Sequence, residues 1–152
     1  MNIVELNEKN LTEALKTFKK FRNSFYSETG RDMPDDEQIK DDLFGTYGDE
    51  ITYVFTEKGN CFGLVTIDKP NAEIRNLTLD LNALEKDNLQ KVLDFSLKQF
   101  SAISLVFVWV SSLDGDVIDV LETYGFEYTG EQDYIDKEKH ISSYRYVYRR
   151  KR

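Results

Sequence analysis

The side chains that could bind a metal or form a covalent bond are few and widely spaced in this sequence. It has one cysteine, Cys61, and one histidine, His140. A single cysteine forms no internal disulfide, and a lone histidine without a cysteine cluster supplies no zinc-like ligand set. Carboxylates are dense between residues 32 and 42, but they lack the regular spacing of a calcium-binding loop. We therefore expect no metal site, and the cysteine content does not point to an oxidising compartment.

The net charge of -8 at pH 7 and the isoelectric point near 4.7 constrain the class of partner. A strongly negative protein repels phosphate backbones and anionic membranes unless a local basic patch overrides its field. The one dense basic run covers residues 149–152 and fits either a solvated end or an anion-binding tail. We expect neither a nucleic acid nor a membrane as a partner.

The length and composition suit one folded domain. A chain of 152 residues with 40% hydrophobic and 13% aromatic residues has enough apolar surface for a single core over residues 1–152. Residues 1–5 show no signal-peptide pattern, and no apolar run approaches the length of a membrane span. The predicted location is the cytoplasm.

Helical and strand periodicities divide the first half of the chain. Residues 3–6 suit a short strand, and apolar residues then recur at helical spacing over 11–25, interrupted once by Arg22. A second helix is predicted over 35–44. From residue 51 the period changes to two, which is typical of β-strands. Three successive antiparallel strands are predicted, at 51–56, 62–67 and 73–79.

A helix predicted over 89–100 leads into a strand at 105–110 that is apolar on both faces. Such a strand belongs in the centre of a sheet. The helix that precedes it acts as a crossover, so this strand should be a parallel neighbour of the strand at 73–79. We expect Phe107 and Trp109 to pack beneath a helix, with ligand stacking by Trp109 as the alternative.

The chain ends in a short helix and a hairpin. The helix is predicted over 114–124, and Gly125 suits its C-terminal cap. The hairpin combines strands at 126–129 and 143–148. The complete order is β-α-α-β-β-β-α-β-α-β-β, without a repeat or an interdomain linker. This order predicts an α+β fold with a mixed sheet.

That order, together with the segment LETYGFEYTG at 121–130, resembles the GNAT N-acetyltransferase superfamily. In that family a short helix ends in a Gly-Phe pair, here Gly125 and Phe126, and leads into a final hairpin. The resemblance in element order covers nearly the whole chain, and the resemblance in residues covers about ten positions. It implies a GNAT-like mixed sheet with helices on both faces.

The resemblance also implies a reaction, in which an acyl group passes from acetyl-CoA or another acyl-CoA to a small-molecule or peptide amine. In the family, acyl-CoA enters a gap between the fourth and fifth strands, where its pantetheine pairs with strand backbone. Here that backbone belongs to Leu77 and Leu79. The diphosphate would rest on amide groups between residues 82 and 89, with Lys86 among them.

Two catalytic residues follow from the same resemblance. Glu73 stands where some relatives hold a general base, and Tyr124 is the tyrosine beside the Gly-Phe pair. Relatives often place their tyrosine four residues before the glycine, where this chain has Leu121, and they often place Asn where this chain has Asp114. Each candidate also has an ordinary alternative, because Glu73 can pair with a neighbouring arginine and Tyr124 can pack in the core.

The segment after the fourth strand departs from the family pattern. Relatives carry glycines there, so that backbone amides approach the diphosphate closely. This chain has no glycine between Gly63 and Gly115, and it places Glu85 and Asp87 where each would repel a diphosphate. The phosphate-binding loop is therefore expected to be divergent.

Side-chain capping offers an ordinary explanation for the polar residues of this segment. Asn82 with Glu85, or Asp87 with Gln90, has the spacing of a capping pair. A helix that caps itself has less need of an external anion. We therefore expect a self-capped helix and weak or absent binding of acetyl-CoA.

Two functions remain open from the sequence. The first is an N-acyltransferase of the GNAT type. The second is a non-catalytic interaction or ligand-binding module with the same fold, which would explain a run of tyrosines able to form an aromatic contact surface and a possible homodimer. These tyrosines lie in the final hairpin at Tyr128, Tyr134, Tyr144, Tyr146 and Tyr148.

Overall fold

The structure is a computed structural model that describes residues 1–45 and 48–150. Over those residues the elements follow the predicted order. They are β1 (Asn2–Glu5), α1 (Leu11–Thr29), α2 (Asp36–Phe44), β2 (Glu50–Glu57), β3 (Asn60–Asp68), β4 (Glu73–Leu79), α3 (Lys86–Lys98), β5 (Leu105–Ser111), α4 (Gly115–Tyr124), β6 (Glu127–Asp136) and β7 (Ile141–Arg149).

The strands of the described residues form one mixed sheet in the order β1-β2-β3-β4-β5-β7-β6. Neighbouring strands are antiparallel, with the exception of β4 and β5, which are parallel. The α3 crossover between β4 and β5 explains this exception, because it returns the chain to the end of the sheet at which β4 began, so that β5 runs in the same direction. The predicted α+β class and the parallel pair are both confirmed.

Helices cover both faces of the sheet, as expected. On one face α1 and α2 pack over β2 and β3, and their buried apolar residues are Leu6, Ala14, Phe18, Ile39, Leu43, Val54 and Leu64. On the other face α3 and α4 cover a larger core that includes Val65, Ile74, Val92, Leu93, Val106, Val108 and Leu121. Alternate residues of β3 therefore point into different cores, as the pleat requires.

The central strand β5 shows the same alternation. Val106, Val108 and Val110 are buried in the core beneath α3 and α4, whereas Phe107 and Trp109 are half-buried on the opposite face. Neither ring belongs to the apolar core beneath the helices of either face, which differs from the prediction that both pack beneath a helix. The Phe107 ring is covered instead by the Arg145 guanidinium, 3.8 Å from its centroid.

The tyrosines of the final hairpin do not share one exposed surface. Tyr144, Tyr146 and Tyr148 are two residues apart on β7 and pack against the core beneath α4. Only Tyr128 and Tyr134 of this group are exposed, at 46% and 59% of their full area. The predicted aromatic contact surface therefore shrinks to these two residues on the edge strand β6.

The helices and the basic run at residues 149–152 bear on the predictions about membranes and anions. Within the described part of the chain, no helix combines the length and apolarity needed to cross a membrane. Of the basic run, Arg149 is exposed and Arg150 is half-buried, with its amide donating to the carbonyl oxygen of Ser104 at 2.9 Å. Lys151 and Arg152 lie outside the described residues.

Candidate functional site

The gap between β4 and β5 is the feature around which the candidate site is built. The two strands pair only through Glu73 with Phe107 and Ile74 with Val108. Beyond these pairs β4 continues to Leu79, while β5 stays paired with β7 as far as Ser111. The strands therefore diverge into an open V, which leaves backbone hydrogen-bonding groups of β4 without a strand partner.

A bulge in β4 lies at the point where the strands diverge. Thr66 is opposite Arg75, but Leu64 is opposite Thr78, so Val65 of β3 faces two residues of β4. One of the two, Asn76, has a positive φ of 52°. Asparagine is among the few non-glycine residues that adopt this left-handed conformation readily.

The bulge determines which backbone groups face the gap. The Asp80 amide donates to the carbonyl oxygen of Phe62 on β3, and Thr78 is also opposite β3. Because backbone groups alternate sides along a strand, those of Leu77 and Leu79 point away from β3 and toward the gap. These are the two residues that the sequence predicted to pair with pantetheine.

Two adjoining cavities occupy the gap on the side of α1. The inner cavity has a volume of about 160 Å³ and reaches the closed end of the V; its lining includes Arg22, Glu73, Asn76, Leu77, Trp109 and Asp114. The outer cavity has a volume of about 330 Å³ and is lined by Phe21, Leu79, Asn82 and Asp116 among others. They adjoin each other, since Arg22, Leu77, Asp114 and Val117 line both.

Glu73 lies at the closed end of the gap and is half-buried. Its carboxylate forms no hydrogen bond or ion pair with the residues that the structure describes. The neighbouring Arg75 pairs instead with Glu50, at 2.7 Å, and with Asp42, at 3.5 Å. Burial raises the pKa of Glu73, while Arg75 lowers it in part and Asp68 raises it. A carboxylate with a raised pKa and no fixed partner is suited to accept a proton.

Arg22 and Asp114 face the same cavities from opposite sides. Arg22 comes from α1, where its guanidinium lies over the Phe18 ring, 5.2 Å from the centroid. Asp114 precedes α4, and no contact within 4.0 Å joins the two charges. Burial lowers the pKa of Arg22, which Asp114 opposes, and burial raises the pKa of Asp114, which Arg22 opposes. Neither residue was predicted as a site residue, although Arg22 was visible as the interruption of an apolar stripe.

Lys86 and Tyr124 line a different hollow, between α3 and α4, with a volume of about 310 Å³. Its apolar wall is formed by Leu89, Leu93 and Val120. The Tyr124 hydroxyl donates to Asp94 on α3, and burial together with this hydrogen bond raises the tyrosine pKa. The structure thus brings Glu73, Leu77 and Leu79 together, and places Lys86 with Tyr124 in another hollow.

The start of α3 is not capped as predicted. Its N-cap residue is Glu85, and no side chain caps the helix. The proposed partner Asn82 instead lies in a preceding turn, where its amide and that of Ala83 donate to the carboxylate of Asp80. The first intrahelical bond runs from Leu89 to Glu85, so three amides at the start of α3 precede the helical ladder. The prediction of a self-capped helix is wrong.

Sequence comparisons give no assignment, since no family model matches the chain and no curated protein matches it either. Solved structures do match over almost the full length. An N-acetyltransferase from Staphylococcus aureus Mu50 aligns with a TM-score of 0.74 and 17% identity, over 97% of this chain and 97% of its own. A second acetyltransferase from that organism, of the GNAT family, aligns with a TM-score of 0.71 and 12% identity, over 97% and 98%.

A third match has ligands. Spermidine N-acetyltransferase from Vibrio cholerae, in complex with CoA and spermine, aligns with a TM-score of 0.70 and 13% identity, over 97% of this chain and 94% of its own. At these identities the agreement concerns the fold. The element order, the parallel β4–β5 pair and these alignments agree with one another. The chain therefore has the fold of the GNAT N-acetyltransferases.

Proposed function

We propose that this protein is an N-acyltransferase that passes an acyl group from acyl-CoA to a small amine. The observation that carries the proposal is Glu73, a half-buried carboxylate at the closed end of the gap between β4 and β5 that has no ion-pair partner among the described residues. An amine must lose a proton before it can attack, and a carboxylate with a raised pKa in that position can accept it.

The reaction balances with this one base. Glu73 accepts a proton from the ammonium of the acceptor, and the neutral amine attacks the thioester carbonyl carbon. A C–N bond forms while the C–S bond breaks, and the second proton that the nitrogen loses on becoming an amide passes to the sulfur, which leaves as a thiol. The amine would reach Glu73 from the α1 side, through the two cavities that Arg22 lines.

The other side of the gap supports acyl-CoA as the cosubstrate. The backbone groups of Leu77 and Leu79 point into the gap, where an extended pantetheine could pair with them as an added strand. The uncapped amides at the start of α3 and the ammonium of Lys86 favour an anion at the helix N-terminus. Glu85 and Asp87 act against it, so we expect an affinity lower than a glycine-rich loop would give.

Tyr124 as a proton donor to the leaving thiol stays a prediction. The phenol is protonated at neutral pH, as a donor requires, but burial and the hydrogen bond to Asp94 raise its pKa and so make it a weaker acid. Its hydroxyl is engaged with Asp94, however, so donation to a thiolate requires that this hydrogen bond be exchanged. The homodimer and the cytoplasmic location also remain predictions.

A non-catalytic module with the same fold is the alternative, and the acidic, glycine-free segment before α3 favours it. Calorimetric titration with acetyl-CoA, combined with an assay of thiol release over a panel of amines, separates the two functions. We expect saturable binding with Kd between about 10 μM and 1 mM, that is about 4–7 kcal/mol, and thiol release that depends on an amine. Absence of both would support the module. A Kd below about 10 μM would show that Glu85 and Asp87 do not weaken the site.

A further inference from the structure

Arg22 is a cation in the cleft that forms no ion pair within 4.0 Å in the part of the chain that the structure describes. It lines both cavities on the α1 side of the gap. It forms no hydrogen bond or ion pair with the described residues, and its guanidinium lies over the Phe18 ring. A guanidinium offers five donors in a planar fork, and no described residue accepts from those of Arg22. Its donors are therefore available to a ligand with acceptor oxygens that enters the cavity.

The other charges in the inner cavity show what the rest of that ligand carries. Arg75 is already compensated by Glu50 and Asp42. Glu73 and Asp114 form no ion pair with described residues, and both line this cavity together with Arg22. One free guanidinium and two free carboxylates match a ligand that holds an anionic group at one point and an ammonium at another.

We infer that the acceptor is an amine that also carries a carboxylate, as an amino acid does, and that Arg22 binds this carboxylate while the amine lies between Glu73 and Asp114. The inference rests on the proposed N-acyltransferase function and specifies its acceptor. A polyamine fits the arrangement less well, because a second ammonium in this cavity would face Arg22.

The size of the site agrees with a small acceptor. The inner cavity has a volume of about 160 Å³, which is below the usual range for drug-sized ligands. Arginine binds carboxylates through two parallel hydrogen bonds, so the acceptor would be held in one orientation. That orientation directs its amine toward the closed end of the gap, where Glu73 lies.

Trp109 provides a readout that does not depend on turnover. It is the one tryptophan of the chain, and it lines the inner cavity. Fluorescence titration with the common amino acids, each paired with its decarboxylated amine, would measure how much the carboxylate contributes to binding. We expect at least one amino acid to give a saturable change, with its decarboxylated partner binding at least about tenfold more weakly.

Variants of α1 assign the effect to the guanidinium. Arg22→Gln should remove the preference for the carboxylate, and Arg22→Lys, which keeps the charge but not the fork, should retain part of it. Lys16→Gln removes a charge from an exposed position of the same helix and should leave the preference unchanged. Circular dichroism of each variant would establish that it is folded.

Two outcomes would overturn the inference: decarboxylated amines that bind as well as the amino acids, or a preference that survives in Arg22→Gln. Absence of a saturable change with every amino acid would overturn it as well. The thiol-release assay keeps the two claims apart. Turnover of simple amines at the same rate as amino acids would contradict the inferred acceptor but not the proposed acyltransferase function. Carboxylate-selective binding without thiol release for any acceptor would instead contradict the acyltransferase.

Discussion

The Asn76 side chain donates a hydrogen bond from Nδ2 to Oγ1 of Thr66, 3.0 Å away, across the bulge in β4. Thr66 in turn bonds to Thr52 at 2.7 Å, and the Thr52 hydroxyl donates to the carbonyl oxygen of Leu43 at the end of α2. Both threonines are buried. This chain of hydrogen bonds therefore connects the bulge that opens the gap to β3, β2 and α2.

Thr66→Val should break this chain without changing the shape of the residue. It leaves the Asn76 amide and the Thr52 hydroxyl each without one partner, and such losses cost about 1–3 kcal/mol of unfolding free energy. Urea denaturation would measure the change. Thr12→Val, at an exposed position of α1, is the control and should stay within about 0.5 kcal/mol of the wild type. Equal effects of the two substitutions would show that the network does not stabilise the bulge.

Glu73→Gln should lower the rate of acyl transfer by about 10²- to 10⁴-fold, because it removes the proposed base and keeps its size. In the wild type, burial raises the pKa of Glu73 above its ordinary value of 4.5. A base acts when it is deprotonated, so kcat/KM should rise with pH through this raised pKa. The variant should lack that rising limb. A pH profile with the same limb in both proteins would assign the base to another group.

Glu73→Gln should lower the rate of acyl transfer but raise the stability of the fold at neutral pH. Because the folded state raises the pKa of Glu73, it binds the proton more tightly than the unfolded state. The stabilisation that comes from protonated Glu73 is present below the ordinary pKa of this residue. It is lost as pH rises through the pKa that Glu73 has in the folded state. Glu73→Gln should therefore have a higher Tm than the wild type at neutral pH, and the difference should vanish in acid. Glu138→Gln, at an exposed position in the turn between β6 and β7, is the control and should leave Tm unchanged. A wild type more stable than Glu73→Gln at neutral pH would contradict this prediction.

The element order was predictable because period and length separate strands from helices over most of the chain. The bounds of β4 were obtained because Pro70 and Asn71 mark a turn before it and apolar residues recur from Ile74 to Leu79. The bulge at Asn76 was not predicted, although the apolar residues change phase between Ile74 and Leu77 at that point. The gap itself depends on where β4 and β5 stop pairing, which local sequence does not encode.

The site residues show the same limit. Glu73, Leu77 and Leu79 were predicted through a family resemblance, and the structure brings them to one gap. Arg22 was visible only as a polar residue on an apolar helix face. Its role as a lining residue requires α1 to lie over β4, a long-range contact that helical periodicity cannot supply.

Gly63→Ala should be severely destabilising. Gly63 has a φ of +155°, and an added Cβ would lie 2.1 Å from the carbonyl oxygen of Thr78 on β4. We expect a loss of about 3 kcal/mol or more, since backbone of a central strand must move. Gly30→Ala is the matched control: Gly30 also has a positive φ, of 68°, but no atom lies within 4 Å of the added Cβ. It should lose only the conformational term, about 1–2 kcal/mol, as thermal unfolding of both variants would show.

Removal of the two carboxylates at the start of α3 should strengthen binding of acyl-CoA. Glu85 is the N-cap residue but its side chain caps no amide, and Asp87 lies in the first turn. The double variant Glu85→Gln, Asp87→Asn therefore leaves the amides in place and removes repulsion of the diphosphate. Charges at a helix terminus contribute about 0.3–1 kcal/mol each, so we expect Kd for acetyl-CoA to fall by about three- to thirtyfold.

The dependence on salt tests whether the gain is electrostatic. At low ionic strength the difference between the double variant and the wild type should be largest, and it should shrink as salt screens the exposed charges. Glu138→Gln, in the turn between β6 and β7, removes a charge far along the chain and should not change Kd. An unchanged Kd in the double variant, or a gain independent of salt, would mean that the diphosphate does not bind at the start of α3. The weak affinity expected of this protein would then require a different cause.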